Sequence, residues 1–341
     1  MPGFSKKLNT ELRRLGVDSG EPLVAAVSGG ADSCALLAAL ADLRNRGKID
    51  NRIIAAHFEH GIRGAESVAD EKFTLQLAER LGTDYRSGAG DPDDGRGNLE
   101  QWARRARYRF LENVAVSEGS SLILTGHTLN DQAETFLMNV IRGSGHDGLS
   151  AVHVKRSVAE SSKVWIVRPL VTWANRSDTE EYCRERGIEY RNDDMNDDLK
   201  FKRIRIRKEL IPLLEEYNPK IIEALVRNAE TALETRNAIA WLTSHSEDFS
   251  SVVESECLPV MDLVALPSEL HRMAAREWLK RRIGNLKRIS TAHIASVVSL
   301  ATTRKSGKLV ELPGGIAIVK ESGSLKLRNN RFEKTGSGDY N

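Results

Sequence analysis

Leu23-Val24-Ala25-Ala26-Val27, then Ser28-Gly29-Gly30-Ala31-Asp32-Ser33, then the stripe Ala35, Leu36, Leu37, Leu40 and Leu43, is the passage that decides the fold. The apolar run reads as a buried strand, the glycine pair as a tight turn, and the stripe as a helix that ends near Gly47. Two glycines let backbone approach a ligand with no Cβ in the way. Ser28, Asp32 and Ser33 are residues that form turns, cap a first helical turn or touch a ligand. Free N–H groups at such a helix start, with the positive end of the helix dipole, favour phosphate. An ordinary capped strand-to-helix turn has the same letters, so the hexapeptide alone leaves both readings open.

Outward from this turn, strand-like runs recur at 22–27, 52–58, 84–87, 121–125 and 164–168, separated by helical stripes such as Phe73, Leu77 and Leu81 before Gly82. That alternation predicts an α/β fold, a doubly wound and mainly parallel sheet with helices on both faces. Ligands bind such sheets beyond the carboxyl ends of the strands, where the Ser28 turn and residues 57–63 and 125–131 converge. The glycine-rich stretch 88–97 reads as a loop. A first domain is expected over 1–216. A second, mainly helical one is expected over 217–341, starting near Tyr217-Asn218-Pro219 and closing in β-hairpins at about 306–329, with strands at 308–312, 316–319 and 325–327. The last ten residues read as disordered.

Several function classes drop out. No G-x-x-x-x-G-K-[ST] loop occurs, which removes a Walker-type NTPase. Gly143-Ser144-Gly145-His146-Asp147-Gly148 matches G-x-G-x-x-G in letters but follows a helical stretch rather than a strand, which removes a dinucleotide role. With 50 Lys and Arg against 48 Asp and Glu, the chain is nearly neutral, so any nucleic-acid surface must come from local clustering. No apolar run approaches the roughly 18 residues of a membrane span, and a soluble cytoplasmic protein is expected. Cys34, Cys183 and Cys257 form no C-x-x-C pair for zinc, an iron–sulfur cluster or a redox disulfide, and read as small buried residues.

Asp32 and Asp131 fall at the ends of two neighbouring strands. Each alone is a helix-capping residue, whereas paired carboxylates beside a triphosphate are holders of Mg²⁺. Glu100, Arg104, Arg107 and Tyr108 are spaced to share one helix face, either a solvated charged face or a phosphate contact made by guanidinium forks. His57 and His60, three apart, lack further ligands that would complete a metal site. The run Lys200-Phe201-Lys202-Arg203-Ile204-Arg205-Ile206-Arg207-Lys208 is the densest positive cluster. Its interleaved apolar residues suggest one packed side, with the arginines turned to a polyanion.

Ser28 to Ser33 resembles the PP-loop of the N-type ATP pyrophosphatases, which cleave ATP between the α and β phosphates to adenylate a substrate oxygen. Four further blocks resemble one branch of them, the tRNA(Ile)-lysidine synthases: His57-Phe58-Glu59-His60-Gly61-Ile62-Arg63; Leu99-Glu100-Gln101-Trp102-Ala103-Arg104-Arg105-Ala106-Arg107-Tyr108; Thr125-Gly126-His127 through Asn130-Asp131-Gln132-Ala133-Glu134-Thr135 to Arg142-Gly143-Ser144-Gly145; and Arg168-Pro169-Leu170. The blocks run in order over most of residues 20–215.

The resemblance implies ATP bound by Ser28, Gly29, Gly30, Ala31, Asp32, Ser33 and His57, and Mg²⁺ bound by Asp32 and Asp131. It implies catalytic work for Asp32, Asp131, Arg104 and Arg107. His60, Arg63, Glu100, Tyr108, His127, Arg203, Arg205 and Arg207 would contact substrate or tRNA. The implied reaction joins free L-lysine to the wobble cytidine of tRNA(Ile) with a CAU anticodon, by a chain that could pair as a homodimer and meets no membrane. Ile204 stands where the family has Asn, and Met195 where a Ser-Asn pair begins. Two rivals are a PP-loop tRNA thiolase, which would need paired or catalytic cysteines, and a non-catalytic RNA-binding protein on a nucleotide-binding fold.

Overall fold

Strand β1 (Leu23–Ala26) is apolar on both faces, which is what a central parallel strand requires. The computed structural model describes residues 2–17, 20–59, 65–90, 99–159, 161–191, 202–284, 286, 288–303 and 307–329. β1 pairs in parallel with β2 (Ile53–Glu59) on one side and β4 (Leu122–Thr125) on the other. β3 (Asp84–Ala89) lies beyond β2 and β6 (Trp165–Val167) beyond β4, both parallel. β5 (Lys155–Ser157) pairs antiparallel with β6, so the sheet runs β3-β2-β1-β4-β6-β5.

The pleat sorts side chains into two cores. Leu23, Ala25, Ile53, Ala55, Leu122, Leu124 and Val167 face α1 (Pro2–Arg14), α2 (Ala31–Asn45), α3 (Ala65–Arg80) and α7 (Arg176–Glu185). Val24, Ile54, Ala56, Ile123 and Ile166 face α4 (Leu99–Ser117). Helices α2 and α4 therefore cover opposite faces. The strand order reverses between β1 and β4, and that is where the carboxyl ends open a cleft. Leu36, Leu37 and Leu40 of α2 are fully buried, and each contributes roughly 1.5–3 kcal/mol by burial.

After β4 come α5 (Leu129–Ile141) and the single turn α6 (His146–Leu149). After α7 come α8 (Lys202–Arg205), a π-helical turn (Ile206–Leu210), α9 (Ile211–Tyr217) and α10 (Ile221–Ser244). The chain divides into two compact units, Met1–Leu233 and Glu234–Asn341. The sequence placed the boundary at 216/217. The division falls instead within α10, because Ile221, Ile222 and Leu225 of its first turns join Phe136 and Leu137 of α5 in one apolar cluster.

The second unit holds α11 (Glu247–Glu254), β7 (Leu258–Pro259), α12 (Val260–Ala265), α13 (Ser268–Ile283), α14 (Thr291–Thr302), β8 (Leu309–Leu312), β9 (Ile316–Glu321) and β10 (Ser324–Asn329). Its antiparallel sheet runs β7-β10-β9-β8, and the fully buried Trp278 sits in its core. The three terminal strands were legible. The two residues of β7 are too few to carry a pattern.

Two details of the larger sheet differ from expectation. The loop read at 88–97 begins later, because Gly88 and Ala89 still pair with Phe58 and Glu59. A Cβ on Gly88 would come within 2.5 Å of the Phe110 ring, which is why this strand position takes glycine. β5 was not foreseen, since Lys155-Arg156-Ser157 has no apolar alternation. Residues 91–98 and 330–341 lie outside the described residues. Among those described, no helix is long and apolar enough to cross a membrane.

Candidate functional site

The turn after β1 is built by backbone and hydroxyl groups. Gly29 takes φ +91°, which a side chain would strain, and its carbonyl accepts the Arg191 N–H at 2.9 Å. Ser33 Oγ accepts the Ser28 N–H at 3.1 Å, lies 3.2 Å from Ser28 Oγ, and donates to the Gly30 carbonyl at 2.9 Å. Gly30 is the N-cap of α2, so no side-chain oxygen caps the first-turn N–H groups around Ala31. On the β4 side, a Cβ at Gly126 would lie 2.7 Å from the Asp32 carbonyl oxygen and 2.9 Å from the Ser33 nitrogen. Glycine at 126 thus lets the end of β4 touch the first turn of α2.

Beside this turn lies a network of carboxylates and guanidiniums. Asp32 Oδ1 accepts the Thr179 hydroxyl of α7, and Arg176 Nε stands 3.7 Å from Oδ2. Burial lifts the Asp32 carboxyl to about 6, against the lowering by Thr179 and Arg176, and the nearby Asp131 charge adds to the rise. Asp131 closes the capping box of α5, accepting the Thr128 N–H at 2.9 Å on Oδ2, while Arg203 donates to Oδ1 at 2.6 Å. Although burial alone would raise Asp131, Arg203, the Thr128 N–H and Arg176 hold it below the ordinary range. Glu134, with no exposed side-chain surface, accepts Arg203 Nε at 2.7 Å and Arg207 Nε at 2.6 Å and has Arg176 at 3.7 Å. Arg203 therefore spans Asp131 and Glu134, and Arg176 spans Asp32 and Glu134.

This corrects the reading of the basic run. Arg203 and Arg207 turn inward, because buried carboxylates without cations would cost several kcal/mol each. Only Arg205 of the three lies on the exposed side, paired with Glu209. Asp131 also does the capping work that its position alone suggested, in addition to standing near Asp32.

His57 donates its Nδ1–H to the Val27 carbonyl at 2.8 Å, which leaves Nε2 buried with no partner. Burial and the neighbouring Arg168, Arg107 and Arg203 push His127 well below its ordinary value, so its ring stays neutral; Nδ1 lies 2.8 Å from Thr125 Oγ1. Arg104 and Arg107 stack on Tyr108. His60 and Arg63, and the side chain of Glu100, lie outside the described residues. Thr179, Arg176 and Glu134 were missed as site residues. Glu134 could have been found from its i+3 spacing to Asp131, and Arg207 as its partner from the i+4 spacing to Arg203.

Among the described residues, no three His, Cys, Asp or Glu side chains converge to hold a metal ion. Asp32 fits a divalent cation that takes its other ligands from phosphate and water, because Arg176 stands off at 3.7 Å from Oδ2 and leaves room for a cation on the carboxylate. Asp131 fits only if it gives up Arg203.

A PP-loop domain model matches residues 4–214. Curated relatives named tRNA(Ile)-lysidine synthase match most of the chain. That of Solibacter usitatus is 36% identical over 87% of this chain and 65% of its own length. That of Geobacter sulfurreducens is 33% identical over 88% and 64%. That of a Nostoc species is 33% identical over 92% of both. The chain thus spans a little under two thirds of the first two and nearly all of the third. Among solved structures, a U34-tRNA thiolase of Methanococcus maripaludis superposes with a TM-score of 0.57 at 19% identity, covering 67% of this chain and 77% of that one, a likeness of fold.

Proposed function

The chain belongs to the tRNA(Ile)-lysidine synthase family of PP-loop proteins, and from that premise we propose that it ligates free L-lysine to C2 of the wobble cytidine in the CAU anticodon of tRNA(Ile). The observation that carries this reading is the turn of Ser28 to Ser33, with a buried Asp32 at its helix start and Gly126 pressed against it. The C2 carbonyl of cytosine is a poor electrophile with no leaving group, so its oxygen first takes AMP from ATP with loss of pyrophosphate. The ε-amine of lysine then displaces AMP.

In this reading the N–H groups of Gly29 to Ser33 and the Ser28 and Ser33 hydroxyls bind the phosphates, acting by orientation and by charge stabilisation. The Nε2 of His57 accepts a hydrogen bond from the adenine amine. Asp32 would hold Mg²⁺, which neutralises charge on the leaving pyrophosphate, and Asp131 would join it on releasing Arg203. Arg104 and Arg107 supply positive charge to the same cleft. His127, neutral, serves as a hydrogen-bonding wall. The first unit carries the chemistry, with Arg205, His60, Arg63, Glu100 and Tyr108 as its RNA contacts, and the helices of the second unit bind tRNA. A cytoplasmic location and a homodimer belong to the same reading. Against sulfur delivery stand Cys34 and Cys183, both buried and both pushed up to about 12 by that burial, so that neither offers a thiolate.

The test is incubation with ATP, Mg²⁺, labelled lysine and tRNA(Ile) bearing CAU. Label is expected in the RNA. Sulfur entering from a donor while lysine stays out would overturn the reading.

A further inference from the structure

Tyr108 is surrounded by arginines. The guanidinium carbons of Arg104, Arg107 and Arg156 stand 5.2, 5.3 and 5.1 Å from its ring centre. Arg168, 2% exposed, gives Nη1 to the His153 carbonyl at 2.6 Å, and its Nε is buried with no partner. The Tyr108 hydroxyl is buried beside Arg168. Among the described residues, no carboxylate lies in ion-pair range of any of these four arginines, whereas Arg176, Arg203 and Arg207 nearby all have one. Four positive charges crowded together, with no counter-charge among the described residues, are costly unless a ligand supplies one. The crowding is visible chemically. Burial lowers Arg104 and Arg168, and the four guanidiniums outweigh burial at Tyr108, whose hydroxyl falls to about 7.

We propose that Arg104, Arg107, Arg156 and Arg168, gathered on Tyr108, form a subsite for an RNA phosphodiester next to the base that enters the cleft. Guanidinium forks match phosphate oxygens in pairs, and the Tyr108 ring sets three of them side by side. The RNA strand is a better occupant than the tail of ATP for two reasons. The tail has its own donors at the start of α2, and α2 lies on the opposite face of the sheet from α4, which carries Arg104, Arg107 and Tyr108. The cluster also borders the cleft, since Arg168 and Arg107 act on His127. A phosphate held there would anchor the strand while its base reaches over the sheet edge. Arg156 and Arg168, on β5 and just after β6, thereby acquire a role. This inference rests on the RNA substrate proposed above.

Two measurements test it. In the first, Arg156→Gln is compared with wild type for binding of a CAU anticodon stem-loop across a salt series and for binding of fluorescent ATP. Stem-loop affinity should fall about tenfold, with the slope of log K against log salt reduced by about one, while ATP affinity stays within about twofold. A fall in ATP affinity with RNA binding unchanged assigns the cluster to the nucleotide and overturns the proposal, as does no change in either. In the second, which needs no variant, wild type carrying ring-labelled tyrosine is titrated by NMR. Stem-loop binding should raise the pH at which the Tyr108 phenol ionises, because phosphate offsets the guanidiniums; an ionisation midpoint unmoved by RNA refutes the subsite. Stem-loop binding through Arg156 without lysine transfer would sink the proposed reaction and leave this subsite standing. Lysine transfer with unaltered binding by Arg156→Gln would do the reverse.

Discussion

Gly126→Ala is the sharpest test of how the site is assembled. The added methyl would meet the carbonyl oxygen and carbon of Asp32 and the nitrogen of Ser33 at 2.7, 2.8 and 2.9 Å, about half an ångström inside ordinary contact. All three are backbone atoms in the first turn of a helix whose next turns are fully buried, so no flexible side chain can swing away. Either the end of β4 or the start of α2 must shift, and overpacking of this kind costs about 1–3 kcal/mol. For a unit of this size that lowers Tm by roughly 2–4 °C per kcal/mol. The displaced turn is also the proposed phosphate cradle, so ATP affinity should drop by about tenfold or more. Urea denaturation and equilibrium ATP binding measure the two effects. Gly145→Ala, which has ordinary φ and nothing within 4 Å of the new methyl, is the control and should alter neither. If Gly126→Ala unfolds within about 0.5 kcal/mol of wild type and binds ATP equally well, the close packing of β4 on the turn is wrong.

Three further outcomes follow from the same geometry. Glu134→Gln removes the buried carboxylate that Arg203 and Arg207 share and should destabilise the fold by about 3–5 kcal/mol in urea titrations; a loss under about 1 kcal/mol contradicts the network. The native state holds a proton on Asp32 up to about 6, above its ordinary 3.8, so Asp32 makes wild-type stability decline as pH rises through that window. Asp32→Asn should abolish that decline and stabilise the ligand-free protein near pH 7 by up to about 3 kcal/mol; equal pH slopes for the two proteins would show that Asp32 is not perturbed. Of the three cysteines, only Cys257 is partly exposed, so a thiol reagent should modify one per native chain and all three after denaturation. Fast labelling of Cys34 or Cys183 would contradict their burial.

The sheet was legible because its central strands are apolar on both faces, and five strand-like runs separated by helical stripes admit few other folds. The Ser28 turn was legible because glycines and hydroxyls carry its geometry in their letters. What the sequence hid depends on distant pairing. Arg203 and Arg207 look like an RNA-facing run until α5 brings Glu134 and Asp131 beneath them. Thr179 and Arg176 have no local pattern to mark them, and reach Asp32 only because α7 packs along α2. β5 escaped notice since a three-residue polar edge strand obtains its structure from β6. The α10 boundary moved because apolar helix faces do not announce which partner they cover.

The central claim is that this cleft spends the bond between the α and β phosphates of ATP on an RNA base. The direct measurement uses ATP labelled at the α-phosphate, CAU-bearing tRNA(Ile) and no lysine. Labelled AMP is expected to become attached to the RNA with release of pyrophosphate, and added lysine to free it. Unlabelled RNA together with ADP and inorganic phosphate would place the cleavage at the wrong bond and contradict that claim.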